Sequence, residues 1–221
     1  MKFVETPAQR VQVVLLLALW MSLSAGVPTA SGQGPLDVWS IQFHGGLFTP
    51  IEASGASPMI GMRYCKHYGS HVQGGLSTGW TYKRKTLEAP AEGPLGSESS
   101  VELARLEANL VPLMGFMQVD LTGKSRLVPF VGFGAGYEWL VLEAKDQRTG
   151  QASTAVYGNV AWETYAGIGL RLTNEVRLNG ELFYNGGSLE RGVSDPSGQA
   201  WREAVRVNGA GVRVGVDSNF R

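Results

Sequence analysis

Nine charged side chains stand at alternating positions within otherwise apolar or glycine-rich stretches: Arg63, Arg105, Glu107, Glu138, Glu163, Arg171, Arg177, Glu181 and Arg213. Five cations against four anions can pair into a network, and the forked guanidinium suits carboxylate oxygens. Other chemistry is sparsely provided for. His44, His67 and His71 match no metal-ligand spacing, so no metal is expected. The single cysteine, Cys65, excludes an internal disulfide and a cysteine cluster, and reads as a small buried filler. The glycines at 132, 134 and 136 form no dinucleotide loop, because no helix follows them. No hydroxyl with an adjacent base is legible, so no catalytic residue and no cofactor are assigned. A basic run, Lys83-Arg84-Lys85, has the chemistry to hold phosphates; its other reading is a solvated strand end.

The frame for these residues is a chain of 221 residues with 19 basic and 19 acidic side chains, hence zero formal charge. That balance argues against a nucleic-acid partner, which would select a basic excess. Charged residues make up 17%, below the roughly 25% of an average soluble domain. Glycine, with 30 residues, stands well above its usual share of about 7%, and follows no three-residue period. Residues 1–33 read as a secretory signal: Lys2 and Arg10, an apolar run over 11–23, then small residues. The best small-x-small pattern, Ala30-Ser31-Gly32, places cleavage near 30–34, and the run is short of the roughly 20 residues a spanning helix needs. Residues 34–221 then form one domain.

Beyond residue 34, apolar residues recur every second position, which predicts strands. Eight segments are expected: 38–48, 58–68, 71–83, 101–118, 128–143, 156–172, 176–186 and 204–220. The connections alternate between long (49–57, 84–100, 144–155, 187–203) and short, as in an antiparallel up-and-down transmembrane β-barrel with an even strand number. The loops 84–100 and 187–203 are the places expected to meet partners.

Parity divides each strand into two faces. The apolar face carries Trp39, Ile41, Phe43, Ile60, Leu76, Trp80, Val131, Phe133, Trp162, Ile168, Leu178, Leu182 and Val214. In the fourth segment the expected apolar row is Ala104, Leu106, Ala108, Leu110, Met114 and Phe116, with Arg105, Glu107 and Asn109 opposite. The other face is small or polar, with many glycines and the nine charges. Such a mixture suits the crowded interior of a barrel of about eight strands better than a water-facing sheet. The glycines are expected to make room there for Arg and Glu. Aromatic residues fall into two rims, Trp39, Tyr64, Tyr68, Phe116 and Phe220 at one and Trp80, Tyr82, Tyr137, Trp139, Trp162 and Tyr184 at the other. Pro112, lacking an N–H, is expected to force a bulge.

Particular motifs carry a family likeness. Pro129-Phe130-Val131-Gly132-Phe133-Gly134-Ala135-Gly136-Tyr137 resembles the glycine-alternating strand of small bacterial outer-membrane barrels of the opacity and OmpA/OmpX type. Tyr165-Ala166-Gly167-Ile168-Gly169-Leu170 is similar to the strand that follows it there. Val212, Val214, Val216 and Phe220 resemble the carboxy-terminal signal read by the outer-membrane assembly machinery, although Arg221 follows the expected terminal aromatic residue. The likeness spans about residues 36–221. It implies an eight-stranded barrel in the bacterial outer membrane, in contact with outer-membrane lipid and lipopolysaccharide, and monomeric. Lipid A deacylases share that architecture, but their His-x-Ser-Asn motif aligns with Leu182-Phe183-Tyr184-Asn185 and agrees only at Asn185.

The first expectation is therefore a non-enzymatic outer-membrane barrel with a structural or surface-interaction role and a lumen filled by an Arg/Glu network. A narrow porin-like channel for ions or small solutes is the second reading, and a lipid A-modifying hydrolase the third.

Overall fold

Alternation with period two leaves no helical face to bury, so each segment is stable only as a strand with one side covered. The computed structural model describes residues 38–51, 55–90, 100–122, 125–147, 149–194 and 200–220, all within one unit spanning Asp37–Arg221. Nine strands follow in order: β1 (Trp39–Pro50), β2 (Ser57–Tyr68), β3 (Val72–Pro90), β4 (Ser100–Asp120), β5 (Leu127–Asp146), β6 (Ala152–Arg171), β7 (Val176–Ser194), β8 (Ala200–Arg206) and β9 (Gly209–Phe220). Every ladder is antiparallel. Eight strands close a ring, each pairing with its neighbour in sequence until β7 pairs β9 and β9 pairs β1. The eighth predicted segment is two strands. The chain breaks at Val207 and Asn208, where Asn208 Oδ1 accepts from the Gly187 backbone at 2.9 Å, and among the described residues β8 pairs with β7 alone.

The short turns lie where expected, at Gly69-Ser70 and at 172–175. At the opposite end, much of what the sequence presents as loop is strand: β3 runs to Pro90, β5 to Asp146 and β7 to Ser194. Polar composition there reflects strands with little apolar surface to cover, Leu189 on β7 being buried among them. Residues 1–37, including the expected signal segment, lie outside the described residues, as does Arg221.

The parity of β4 is opposite to expectation. Leu110, Met114, Phe116, Gln118 and Asp120 are buried inside, while Leu113 and Met117 are exposed outside. Its lower half, Leu110–Val119, is apolar on both faces, so alternation cannot choose a side, and the charges at 105 and 107 lie above the buried zone. Pro112 causes no bulge either. The β3–β4 partners stop at Thr78↔Leu113 and resume in the same register at Thr81↔Leu110, and the register shift lies at Leu87/Glu88. Thr78 Oγ1 donates to the Pro112 carbonyl at 2.9 Å, bridging the interrupted rung.

Two aromatic bands bound the exposed apolar surface. Trp39 stacks on Tyr64 at 5.2 Å and Tyr64 on Phe220 at 6.3 Å near the short turns. Lys66 lies over the Trp39 ring at 5.6 Å. The pairs Trp80–Tyr82, Tyr137–Trp139 and Trp162–Tyr184 mark the other band. Phe116, expected in the first band, is an interior residue.

Candidate functional site

The interior is organised in three layers. The central one joins four charges from four strands. Arg213 of β9 donates to both oxygens of Glu163 on β6, at 2.9 and 2.6 Å, and through Nε to Glu181 Oε2 on β7 at 2.8 Å. Arg63 of β2 donates to Glu181 Oε1 at 2.9 Å and to Glu163 Oε1 at 3.4 Å. Gln42 Nε2 on β1 also donates to Glu181, at 2.9 Å. Two cations and two anions thus close a neutral box. The side chains of Arg63 and Glu181 are each only 1% exposed. At such burial, desolvation is repaid only if every charge is paired, and here each is.

Aromatic rings cover the box. The Arg63 guanidinium lies 4.1 Å from the Tyr165 ring centre and 5.2 Å from Phe116, and Arg213 lies 4.6 Å from Phe183. Two of these rings occupy space that inward glycines leave. A Cβ on Gly132 would collide with the Tyr165 ring, and one on Gly211 with the Phe183 ring. Gly132 and Gly211 are sockets for rings, and the rings hold the arginines by cation–π contact.

Nearer the short turns is a second cluster. Arg177 donates to Asp120 Oδ2 at 2.9 Å and pairs with Asp217 Oδ2 at 3.0 Å, while Gln118 Nε2 donates to Asp120 Oδ1 at 2.9 Å. His67, Asp120, Arg171, Arg177, Asp217 and Asn219 line a cavity of about 220 Å³. Beside it the fully buried Ser40 hydroxyl lies 3.2 Å from His67 Nε2 and 2.9 Å from the Cys65 sulfur. His44 sits higher, on β1, and His71 Nδ1 lies 2.9 Å from the Asp120 carbonyl, so the three histidines do not converge.

The third layer, toward the long hairpins, is apolar: Phe48, Leu110, Leu140, Tyr157, Leu189 and Val207 are buried together. Glu138, expected in the charge network, sits in the lumen apart from the central box and takes a hydrogen bond from Asn185 Nδ2 at 3.2 Å. Arg105 and Glu107 are not interior at all. Their parity on β4 is that of outward-facing Leu113, and Arg105 pairs with Glu102 at 3.0 Å above the aromatic band. That hydrogen bond holds the Glu102 carboxyl below the usual carboxylate range.

Lys83, Arg84 and Lys85 do not share one surface, because neighbours on a strand point to opposite faces. Lys83 and Lys85 have the inward parity of buried Thr81, and Lys83 Nζ donates to the Gly55 carbonyl at 2.7 Å. Arg84 points outward, opposite Glu107. Val212, Val214, Val216 and Phe220 all face outward on β9 and are exposed. Interior residues that sequence reasoning passed over are Gln118, Asp120 and Asp217. Asp120 and Asp217 lie toward strand ends, where a carboxylate reads as turn or rim, and Gln118 carries no charge signal.

No protein-family model matches the chain, and no curated relative does. The likeness is to solved structures. A major outer membrane protein from Thermus thermophilus superposes with a TM-score of 0.55 at 14% identity, over 84% of this chain and 100% of that one. OprG from Pseudomonas aeruginosa superposes with a TM-score of 0.54 at 13% identity, over 84% of this chain and 96% of its own. At this identity the likeness is one of fold: an antiparallel barrel of eight ring strands, as in small bacterial outer-membrane proteins.

Proposed function

We propose that this chain is a non-catalytic bacterial outer-membrane barrel, exported by a signal over residues 1–33, that inserts as a monomer and presents its long hairpins for surface contacts. The observation that carries this reading is the extension of the strands past the second aromatic band. β3 continues from Tyr82 to Pro90 and β7 from Tyr184 to Ser194. At about 3.3 Å per residue these arms run on for roughly 26–33 Å of strand past the band, where lipid headgroups end. In this reading the outward apolar face meets lipid, and Val212, Val214, Val216 and Phe220 are read by the assembly machinery. Of the basic run, Arg84 is the member directed toward lipopolysaccharide phosphates.

The central ion box and the apolar layer above it support a filled lumen rather than a pore. Single-channel recording after reconstitution tests this. Little steady conductance is expected, and a steady current altered by Glu163→Gln would replace the plug with the narrow-channel reading. The buried Ser40 hydroxyl offers no route to a lipid substrate, which supports the non-catalytic reading over a lipid A hydrolase. Mass spectrometry of lipid A from cells with and without the protein should show no difference. Surface exposure of the arms is tested by proteolysis of intact cells, with cleavage expected between β3 and β4.

A further inference from the structure

The cavity among the short turns is lined by polar atoms that the fold leaves unmatched. Asp217 lines it and is only 3% exposed, yet its two carboxylate oxygens are treated unequally. Oδ2 pairs with Arg177 at 3.0 Å, whereas Oδ1 accepts no hydrogen bond among the described residues. Arg177 Nε, buried on the facing side of that pair, likewise has no acceptor. Buried polar atoms left bare cost free energy that a suitable occupant would recover. The wall beside them is already fixed. Thr173 Oγ1 accepts from the Glu175 and Val176 backbones at 3.2 and 3.0 Å, and the Asn219 backbone donates to the Glu175 carbonyl at 2.7 Å.

The charges limit what can enter. Arg171 and Arg177 stand opposite one another on β6 and β7, and the same cavity holds Asp120 and Asp217. A bare cation would face two guanidinium groups, and an anion two carboxylates. The occupant must therefore bring N–H donors to Asp217 and a negative group toward the arginines. The chain itself supplies both. Val38 lines the cavity, and Gly34-Pro35-Leu36-Asp37 precedes it. Signal cleavage near 30–34 frees an α-ammonium within seven residues of Val38. An ammonium offers three donors and no acceptor, Asp37 carries the negative charge, and Leu36 matches the aliphatic Val38 and Val176 in the lining. So short a tether gives the group an effective concentration in the millimolar range, which favours it over a free amine.

We propose that this cavity is an ammonium site taken by the chain's own amino end once the signal is removed, with the α-ammonium on Asp217 Oδ1 and the Asp37 carboxylate toward Arg171. The short-turn mouth is then closed in the processed chain and open in the precursor, whose α-ammonium stands at residue 1. This rests on the reading of residues 1–33 as a cleaved signal.

The test uses the exported mature chain, its amino end read by mass spectrometry, folded in lipid nanodiscs. Reductive methylation near neutral pH reports the α-amine, which ordinarily outpaces lysines because its pKa is about 7.7–8.0 against about 10.4. In the folded chain it should react at least tenfold more slowly than in urea. Asp217→Asn keeps the shape, removes the charge and should restore the rate. Titration followed by NMR should find the α-ammonium pKa raised by about one unit in the wild type and unshifted in the variant. Asp217 also pairs with Arg177, so heat-modifiable migration confirms that the variant folds, and a second protein leaves the cavity intact. A long Gly-Ser extension ahead of the amino end should free the amine, and its proteolytic removal should restore protection. Leu36→Cys gives a reading independent of charge, since Cys65 is buried: a water-soluble maleimide should label it at least tenfold faster in the extended chain than in the mature one. Full α-amine reactivity in the folded mature chain, or protection that survives both Asp217→Asn and the extension, overturns the proposal. An uncleaved chain in outer membranes refutes the signal reading and the proposal with it, whereas a cleaved chain with a freely reactive amine refutes the docking alone.

Discussion

Arg213 and Glu181 stand directly opposite one another on β9 and β7, joined by a buried 2.8 Å hydrogen bond between Nε and Oε2. Glu181 is also the partner of Arg63, so one carboxylate holds two guanidinium groups against the closure of the ring between β9, β1 and β2. Glu181→Ala leaves two buried cations short of an anion. Removing one partner of a buried pair typically costs about 3–5 kcal/mol. The urea midpoint of the protein in detergent micelles should fall accordingly, and more than for Glu190→Ala, whose exposed pair with Arg202 is worth at most about 1 kcal/mol. Equal midpoints for wild type and Glu181→Ala would remove the box from any account of stability.

The reversed parity of β4 makes a second prediction. Phe116 lies inside beneath Arg63, and Met117 faces outward and is 58% exposed. Phe116→Ala should destabilise the barrel by about 3–5 kcal/mol, as core Phe truncations do, and Met117→Ala should change little. Cysteine placed at each position gives an independent reading: Met117→Cys should react with a lipid-soluble maleimide and Phe116→Cys should not. The reverse pattern would restore the sequence-derived face.

What the sequence revealed and what it hid follow one physical line. Alternation is decisive where one face meets an apolar medium and the other a packed lumen, as in β5, β6 and β9, whose faces are as expected. It fails over Leu110–Val119, where ring-bearing and apolar side chains occupy both faces. It is silent above the aromatic band, where β3, β7 and β8 stand in water on polar residues. The charge network was legible only in part. Glu163, Arg213, Arg63 and Glu181 come together because they lie at matching heights on nearby strands, and a single sequence gives parity but not register. Arg105 and Glu107 show the loss that follows when parity itself is wrong.

The sockets for rings predict a third outcome. Gly132→Leu puts a side chain where the Tyr165 ring lies, and the ring cannot move without leaving Arg63. Overpacking of this kind typically costs about 1–3 kcal/mol. Combining it with Tyr165→Ala should recover part of that loss, because the new side chain then occupies the vacated space. A double variant no more stable than the sum of both singles would show that glycine is needed there for the backbone alone.

Acidity should act first on the β7–β8 arm. The hydrogen bond from Arg191 holds the Glu203 carboxyl below the usual carboxylate range, with a further contribution from Tyr157. A carboxylate depressed on folding adds stability that is complete above its unfolded value, about pH 4.3, and is lost as pH falls through the lower folded value. Amide exchange in 188–194 and 200–206, corrected for intrinsic rate, should therefore quicken below about pH 4, while the ring ladders stay protected. Uniform protection down to about pH 3 would mean that the ladder, not the ion pairs, holds the arm.

Phe220 separates a structural from a signalling role for the carboxy-terminal strand. It stands opposite Trp39 in the β1–β9 ladder and stacks on Tyr64, so its ring belongs to the aromatic band. If that were its whole contribution, Phe220→Ala would reduce folding in detergent and in cells alike, by the modest amount expected of a half-exposed side chain, on the order of 1 kcal/mol. A residue read by the assembly machinery behaves differently. Refolding from urea into micelles should then be almost unimpaired, while the amount of folded barrel recovered from outer membranes falls severalfold. Val214→Ala, also outward on β9 but away from the end, serves as the control for lost apolar contact. Parallel losses in micelles and in cells would confine Phe220 to the aromatic band.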